Sequence, residues 1–159
     1  MKSFIKKHRP LCIIISIVLL SWYISNYWLQ FALIQGDSML PSYHNWQLVF
    51  IDKHTKEYDY GDVIVFTNDT LSATLTKRII ALPGDSVQIQ DGIVYVNQTP
   101  SSLIRENAKL SFSGIAASPI SLAADEYFVL GDNYEESKDS RFEEIGCVKQ
   151  ETILGKILN

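Results

Sequence analysis

The sequence predicts an all-β domain, a barrel or a sandwich, preceded by one apolar helix. Three observations predict it. Residues 11–29 contain no charged side chain. Beyond residue 30, short β-rich runs alternate with Gly, Pro and Asp turns. No segment there sustains a helical period, so the pattern is that of many short strands rather than of helices.

The helix is the run Leu11–Leu29, LCIIISIVLLSWYISNYWL. At its full length it rises roughly 28 Å, close to the thickness of a bilayer's hydrocarbon core. Trp22, Tyr23, Tyr27 and Trp28 gather in its second half, as in a belt at the membrane–water interface, and Lys2, Lys6, Lys7 and Arg9 precede it. The positive-inside rule then divides the chain into a basic cytoplasmic segment (1–10), a transmembrane signal-anchor helix (11–30) and an extracytoplasmic domain (31–159), crossing once with the N-terminus in the cytoplasm. A cleavable signal peptide would carry a shorter apolar region and a small-x-small site. A buried core helix would not need the basic flank or the terminal aromatics.

The strands follow in order. Gln47–Asp52 (QLVFID) is β-rich, and Gly61–Thr67 (GDVIVFT) opens on a Gly-Asp turn. Leu75–Leu82 (LTKRIIAL) stops at Pro83-Gly84. Val87–Gln90 and Ile93–Asn97 flank Asp91-Gly92, the strongest short hairpin signal in the chain. Tyr127–Leu130 (YFVL) stops at Gly131-Asp132-Asn133, and Ile153–Leu158 suits a last strand. Residues 98–124 are rich in Ser, Ala and Pro and carry the weakest local signal.

Charge narrows the function. All 18 acidic residues lie at or beyond Asp37, and 10 of the 14 basic residues lie beyond residue 30, a balance of −8 for that part. Nucleic-acid binding needs the opposite balance, so no nucleic-acid partner is expected. Cys12 and Cys147 are far apart, one inside the apolar run, and no disulfide is expected. His8, His44 and His54 match no ligand spacing, so neither a metal nor a cofactor is expected.

Three segments carry chemistry. Gly36-Asp37-Ser38-Met39-Leu40-Pro41-Ser42 follows the apolar run and places a serine where Gly and Pro fix a tight backbone path. In Lys77–Asp85 (KRIIALPGD), a lysine stands in an apolar strand, where alternation lets only one of Lys77 and Arg78 face inward. Burial disfavours the ammonium form, and a neutral amine can take a proton from a serine hydroxyl. Gly131–Arg141 (GDNYEESKDSR) is a polar loop after a strand. Each alone also reads as ordinary structure: a turn, a solvated strand face and a surface loop.

Taken together, these segments resemble the boxes of the type I signal peptidases, or leader peptidases, of peptidase family S26. Ser38–Ser42 matches S-M-x-P-[TS], and Gly131–Arg141 matches G-D-N-x-x-x-S-x-D-S-R in full. Lys77–Asp85 matches K-R-[IV]-[IV]-G-x-P-G-D with Ala81 in place of Gly. Gly61–Phe66 matches the strand G-D-[IV]-[IV]-x-F, with Tyr60 where Arg or Lys is common. Gly36 and the short interval between the second and third boxes resemble the smaller Gram-positive enzymes. The resemblance implies the signal-peptidase-like all-β catalytic domain and a Ser-Lys dyad that cuts signal peptides, small at −1 and −3, from secreted preproteins at the outer face of the cytoplasmic membrane, in contact with its lipid. By that resemblance Ser38 is the nucleophile and Lys77 the general base that later protonates the leaving amine. Ser137 hydrogen-bonds the lysine, and Asp139 and Arg141 support the site. Met39 lines the pocket for the small residue before the cut, and Ile34 helps shape the pockets for the substrate's −1 and −3 side chains. Some relatives place a serine donor for the oxyanion where this chain has Gly36, so here the hole rests on backbone N–H groups, first that of Ser38.

A Ser-His-Asp hydrolase is the alternative within enzymes, with His44 or His54 as base. Self-cleaving repressors also use Ser-Lys but carry a DNA-binding segment in place of an anchor. A degenerate relative serving as an assembly factor would have lost the serine or the lysine.

Overall fold

The computed structural model describes the backbone of residues 2–27, 29–105 and 108–158, with side chains described over 10–23, 30–105 and 108–158. The basic side chains of Lys2, Lys6, Lys7 and Arg9, and Tyr27 and Trp28 of the predicted aromatic belt, lie outside the described ones. Helix α1 spans Lys2–Tyr27. Its described apolar side chains, from Leu11 to Tyr23, are all exposed. Among the described residues no helix is long and apolar enough to cross a membrane. Helix and strand also divide differently from expectation: Leu29 and Gln30, predicted to end the anchor, begin a strand.

The strands in chain order are β1 (Leu29–Leu33), β2 (Leu48–Asp52), β3 (Val63–Asn68), β4 (Ala73–Ala81), β5 (Ser86–Gln90) and β6 (Ile93–Val96). They continue as β7 (Thr99–Pro100), β8 (Ile120–Ser121), β9 (Glu126–Leu130), β10 (Val148–Lys149) and β11 (Ile153–Leu158). One sheet runs β1-β2-β11-β3-β4-β9-β10, and a smaller one runs β7-β6-β5-β8. Every pairing is antiparallel.

The central strands are covered on both faces, so they read as continuous apolar runs rather than as alternations. Val63 and Val65 of β3 enter a core with Ile34, Met39, Val49 and Ile157. Ile64 and Phe66 enter another with Ile79, Val129 and Ile153 on the opposite face. The small sheet closes a third core, where Val87, Ile89 and Val94 meet Ile80, Phe128 and Leu130. Burying a side chain of this size contributes ~1.5–3 kcal/mol.

The architecture is layered, and the barrel alternative is not realised. Among the described residues β1 and β10 end the large sheet without pairing to each other. Strand β4 is shared unequally between its two neighbours. It pairs with β3 from Ala73 to Arg78, but with β9 only from Arg78 onward, and the register shifts between Ile79 and Ala81. Such an irregularity bends a strand, and the ladder stops at Arg78 because β9 ends at Leu130 opposite it. The edge of Ala73–Lys77 that faces away from β3 is left without a strand partner among the described residues, and the site lies against it.

Candidate active site

The segment that carries Ser38 is a turn. Leu40 N–H donates to Asp37 O at 3.1 Å and Tyr43 N–H to Met39 O at 2.9 Å. Gly36 enters it with φ +84°, a conformation L side chains rarely adopt, and its N–H donates to Asn45 Oδ1 at 3.1 Å. The backbone path itself thus disfavours a serine at this position. Met39 is buried in the core, which anchors the turn and leaves Ser38 half-buried beside a cleft.

β4 brings Lys77 to that serine. Its side chain is only 3 % exposed, and Nζ lies 2.8 Å from Ser38 Oγ and 3.0 Å from Thr76 O, donating to both. Burial lowers the Lys77 pKa from 10.5 to about 8, against the opposing pull of the Asp139 and Asp132 carboxylates. Arg78 points to the other face, as alternation requires. Its Nε and Nη2 grip Asp132 Oδ1 and Oδ2 at 2.8 and 2.6 Å, and Nη1 donates to Gly61 O at 2.8 Å.

The polar loop after β9 closes over the serine. Asn133 N–H donates to Ser38 O at 3.0 Å, and Asn133 Nδ2 donates to Asp37 O at 3.1 Å. Gly131 permits this approach: a Cβ there would overlap Ser137 Oγ and the Ser38 carbonyl. Ser137 Oγ therefore sits beside the serine backbone. It is buried and makes no hydrogen bond, and the bond to Lys77 that the resemblance implied is absent from this geometry.

Asp139 and Arg141 are fully buried and hold the loop from beneath. Arg141 Nε and Nη2 meet Asp139 Oδ1 and Oδ2 at 2.8 and 3.0 Å, and Nη2 also donates to Tyr134 O at 2.7 Å. Asp139 Oδ2 accepts the Gly131 N–H at 3.1 Å, tying the ion pair to the glycine next to Ser38.

A cleft of about 390 Å³ opens from the pair, lined by Ile34, Met39, Val49 and Val65 and by the free stretch of β4 from Ala73 to Lys77. The structure thus gathers Ile34, Ser38, Met39 and Lys77 at one cleft, with Ser137, Asp139 and Arg141 behind it. His44 and His54 are exposed and line no part of it. Sequence reasoning assigned no role to Gly131, Asp132 or Asn133, although all three stand in a quoted motif. Val49, Val65 and Thr76 had no signal at all, because strand alternation does not say which face bears a cleft.

An all-β fold that seats a serine hydroxyl against a buried amine, in an open apolar cleft, is the setting of a serine hydrolase. The family model described as signal peptidase, peptidase S26 matches residues 7–158, and the chain belongs to that family, whose members are serine endopeptidases. It is similar to signal peptidase I S of Bacillus subtilis (strain 168), 33 % identical over 139 residues that cover 80 % of this chain and 74 % of that protein. It is also similar to signal peptidase I of Bacillus licheniformis, 30 % identical over 152 residues covering 89 % and 81 %. Among solved structures, a signal peptidase I from Enterococcus faecalis V583 matches with a TM-score of 0.52 at 28 % identity, over 65 % of this chain and 97 % of that one.

Proposed function

We propose that the protein is a type I signal peptidase that works through a Ser38–Lys77 dyad and cuts after small residues at −1 and −3. The observation that carries this is the 2.8 Å contact between Ser38 Oγ and a lysine amine whose pKa burial has lowered to about 8. The neutral amine takes the hydroxyl proton as Oγ attacks the scissile carbonyl. The resulting ammonium then protonates the departing amine, leaving an ester on Ser38. Water, deprotonated by the same amine, hydrolyses that ester. Ser137, which lacks a partner and lies beside the serine, receives the amine as it moves between these steps. Asp139 and Arg141 keep the loop in place.

The substrate enters as an added strand along the open edge of Ala73–Lys77. Its −1 and −3 side chains then fall on one face, toward Ile34, Met39, Val49 and Val65, where the cleft suits small apolar groups. Full-length protein in detergent is expected to cut a peptide with Ala at −3 and −1 after the −1 residue, read by mass spectrometry. No cut, or a cut elsewhere, would refute the assignment.

We place the catalytic domain at the outer membrane face, held by residues 11–27 of α1 as a single crossing with the N-terminus in the cytoplasm. Support comes from the uncharged run, its basic flank and an apolar face on the large sheet. Phe31 lies opposite Phe50, and Phe50 opposite Leu158, with Leu33 and Leu48 paired beside them. All five are exposed, Phe31 by 66 %, and Trp46 at the neighbouring turn by 67 %. Tyr43, three residues before Trp46, is turned into the core. Trp46 emission is expected to shift to shorter wavelength on anionic vesicles, and an unchanged spectrum would count against lipid contact at this face.

A further inference from the structure

We propose that Asn133 is a positioning residue that aims the Ser38 N–H at the oxygen destined to become the oxyanion. The proposal rests on the Ser38–Lys77 mechanism above and adds what holds its backbone donor.

Two hydrogen bonds from one residue fix both peptide units flanking the nucleophile. Asn133 Nδ2 holds Asp37 O at 3.1 Å, and Asn133 N–H holds Ser38 O at 3.0 Å. In a trans peptide unit the C=O and the N–H point in opposite directions. Asp37 O and Ser38 N–H share one such unit. Holding the oxygen against Asn133 turns the N–H to the side away from the loop. Asn133 is not among the residues that line the cleft, whereas Ser38 and Lys77 are.

The two ends of that unit are treated differently. Asp37 O accepts twice, from Asn133 Nδ2 and from Leu40 N–H. Ser38 N–H donates to nothing among the described residues, so it is free for a substrate. With Gly36 supplying no side-chain donor, the geometry of this N–H carries more of the stabilisation than it would beside a second, side-chain donor. Such a donor must lie about 2.7–3.1 Å from the oxyanion to act.

Asn133 is itself braced. Its carbonyl accepts Ser137 N–H at 2.9 Å and Glu136 N–H at 3.1 Å. The Asp132 carbonyl before it accepts Arg105 Nη2 at 3.1 Å, and the Asp132 carboxylate is gripped by Arg78. The donor that sets the Ser38 peptide unit is thus tied to strand β4, which carries Lys77.

The test is Asn133→Asp, which keeps the shape but puts a carboxylate oxygen where the amide donor was. With the Ala-x-Ala peptide and full-length protein in detergent, kcat is expected to fall about 10- to 100-fold while KM moves less than about threefold. A peptide aldehyde, whose adduct with Ser38 Oγ carries the oxyanion, should weaken by the same factor as kcat/KM. A reduced-amide peptide that cannot form the adduct should bind as before, and in Asn133→Ala, which adds no charge near Lys77, the pH near 8 at which kcat/KM rises should not move. A loop that had merely loosened would weaken both ligands. Asn133→Ala removes the side-chain bond without adding charge and should behave alike, which keeps the test open if the aspartate impairs folding. Full kcat in either folded variant, or equal weakening of aldehyde and reduced-amide peptide, would overturn the proposal. Cleavage by the wild type in the same assay reports separately on the dyad.

Discussion

Two buried cations stand within the same active-site region and have opposite fates. Arg141 is 2 % exposed and Lys77 3 %. Arg141 faces a carboxylate that it meets with two donors, and backbone carbonyls take much of what remains. Its charge is fully compensated and it serves as a brace. Lys77 has no ion-pair partner within reach among the described residues, and its contacts are a hydroxyl and a carbonyl. Burial without a counter-ion is what brings its pKa down to about 8. The same depth therefore makes one group inert and the other reactive, and the difference is whether a carboxylate lies alongside.

Breaking the reactive member should give the largest effect. Lys77→Met is expected to lower kcat/KM by about 10²–10⁴-fold, whereas His44→Ala should leave most activity. Comparable losses in both would overturn the choice of base. The same variant should not lose stability at neutral pH. The unfolded chain's lysine titrates near its ordinary 10.5 and the folded one near 8. Between those values the unfolded state binds more protons, so wild-type stability rises with pH across that window. The penalty for burying the ammonium is present in full below pH 8. Lys77→Met escapes a penalty on the order of 3 kcal/mol at pH 7, and its advantage in urea unfolding should shrink towards pH 10.5. A gap that does not change with pH would contradict this.

Breaking the inert member should act on stability. Arg141→Ala leaves the Asp139 carboxylate buried and unpaired and is expected to cost about 3–5 kcal/mol in urea unfolding. Arg141→Lys should rescue little, because an ammonium cannot supply the two-point grip. Near-wild-type stability in Arg141→Ala would mean that the pair is not the brace described.

The fold was largely legible where the chain alternates or turns sharply. The hairpin at Asp91-Gly92 and the strands β3, β4, β9 and β11 lie within a few residues of their expected positions. Strand β1 was not legible, because Leu29–Leu33 continues the uncharged run with only Gln30 to mark a change, and its outward side chains, Phe31 and Leu33, are as apolar as the helix before them. Strands β7, β8 and β10 are two residues each and too short to show a period. An open sheet could not be told from a barrel, because closure depends on whether the end strands β1 and β10 pair, which strand patterning does not state. In the site, motif order marked Ser38 and Lys77, and the fold puts them in contact. The hold of Asn133 on Asp37 and Ser38 was not legible, since it depends on carbonyl directions more than ninety residues away in the chain. Nor was the unpaired state of Ser137 Oγ, which is a matter of local geometry rather than of residue type.

The most direct test of a lysine base made reactive by burial is the pH dependence of kcat/KM on the Ala-x-Ala peptide. The neutral amine is the active form, so activity should be lost as pH falls through about 8 and be retained above it, and the limb should vanish in Lys77→Met. A limb centred near 6.5, in the ordinary histidine range, or a rate that falls steadily above pH 7, would contradict it.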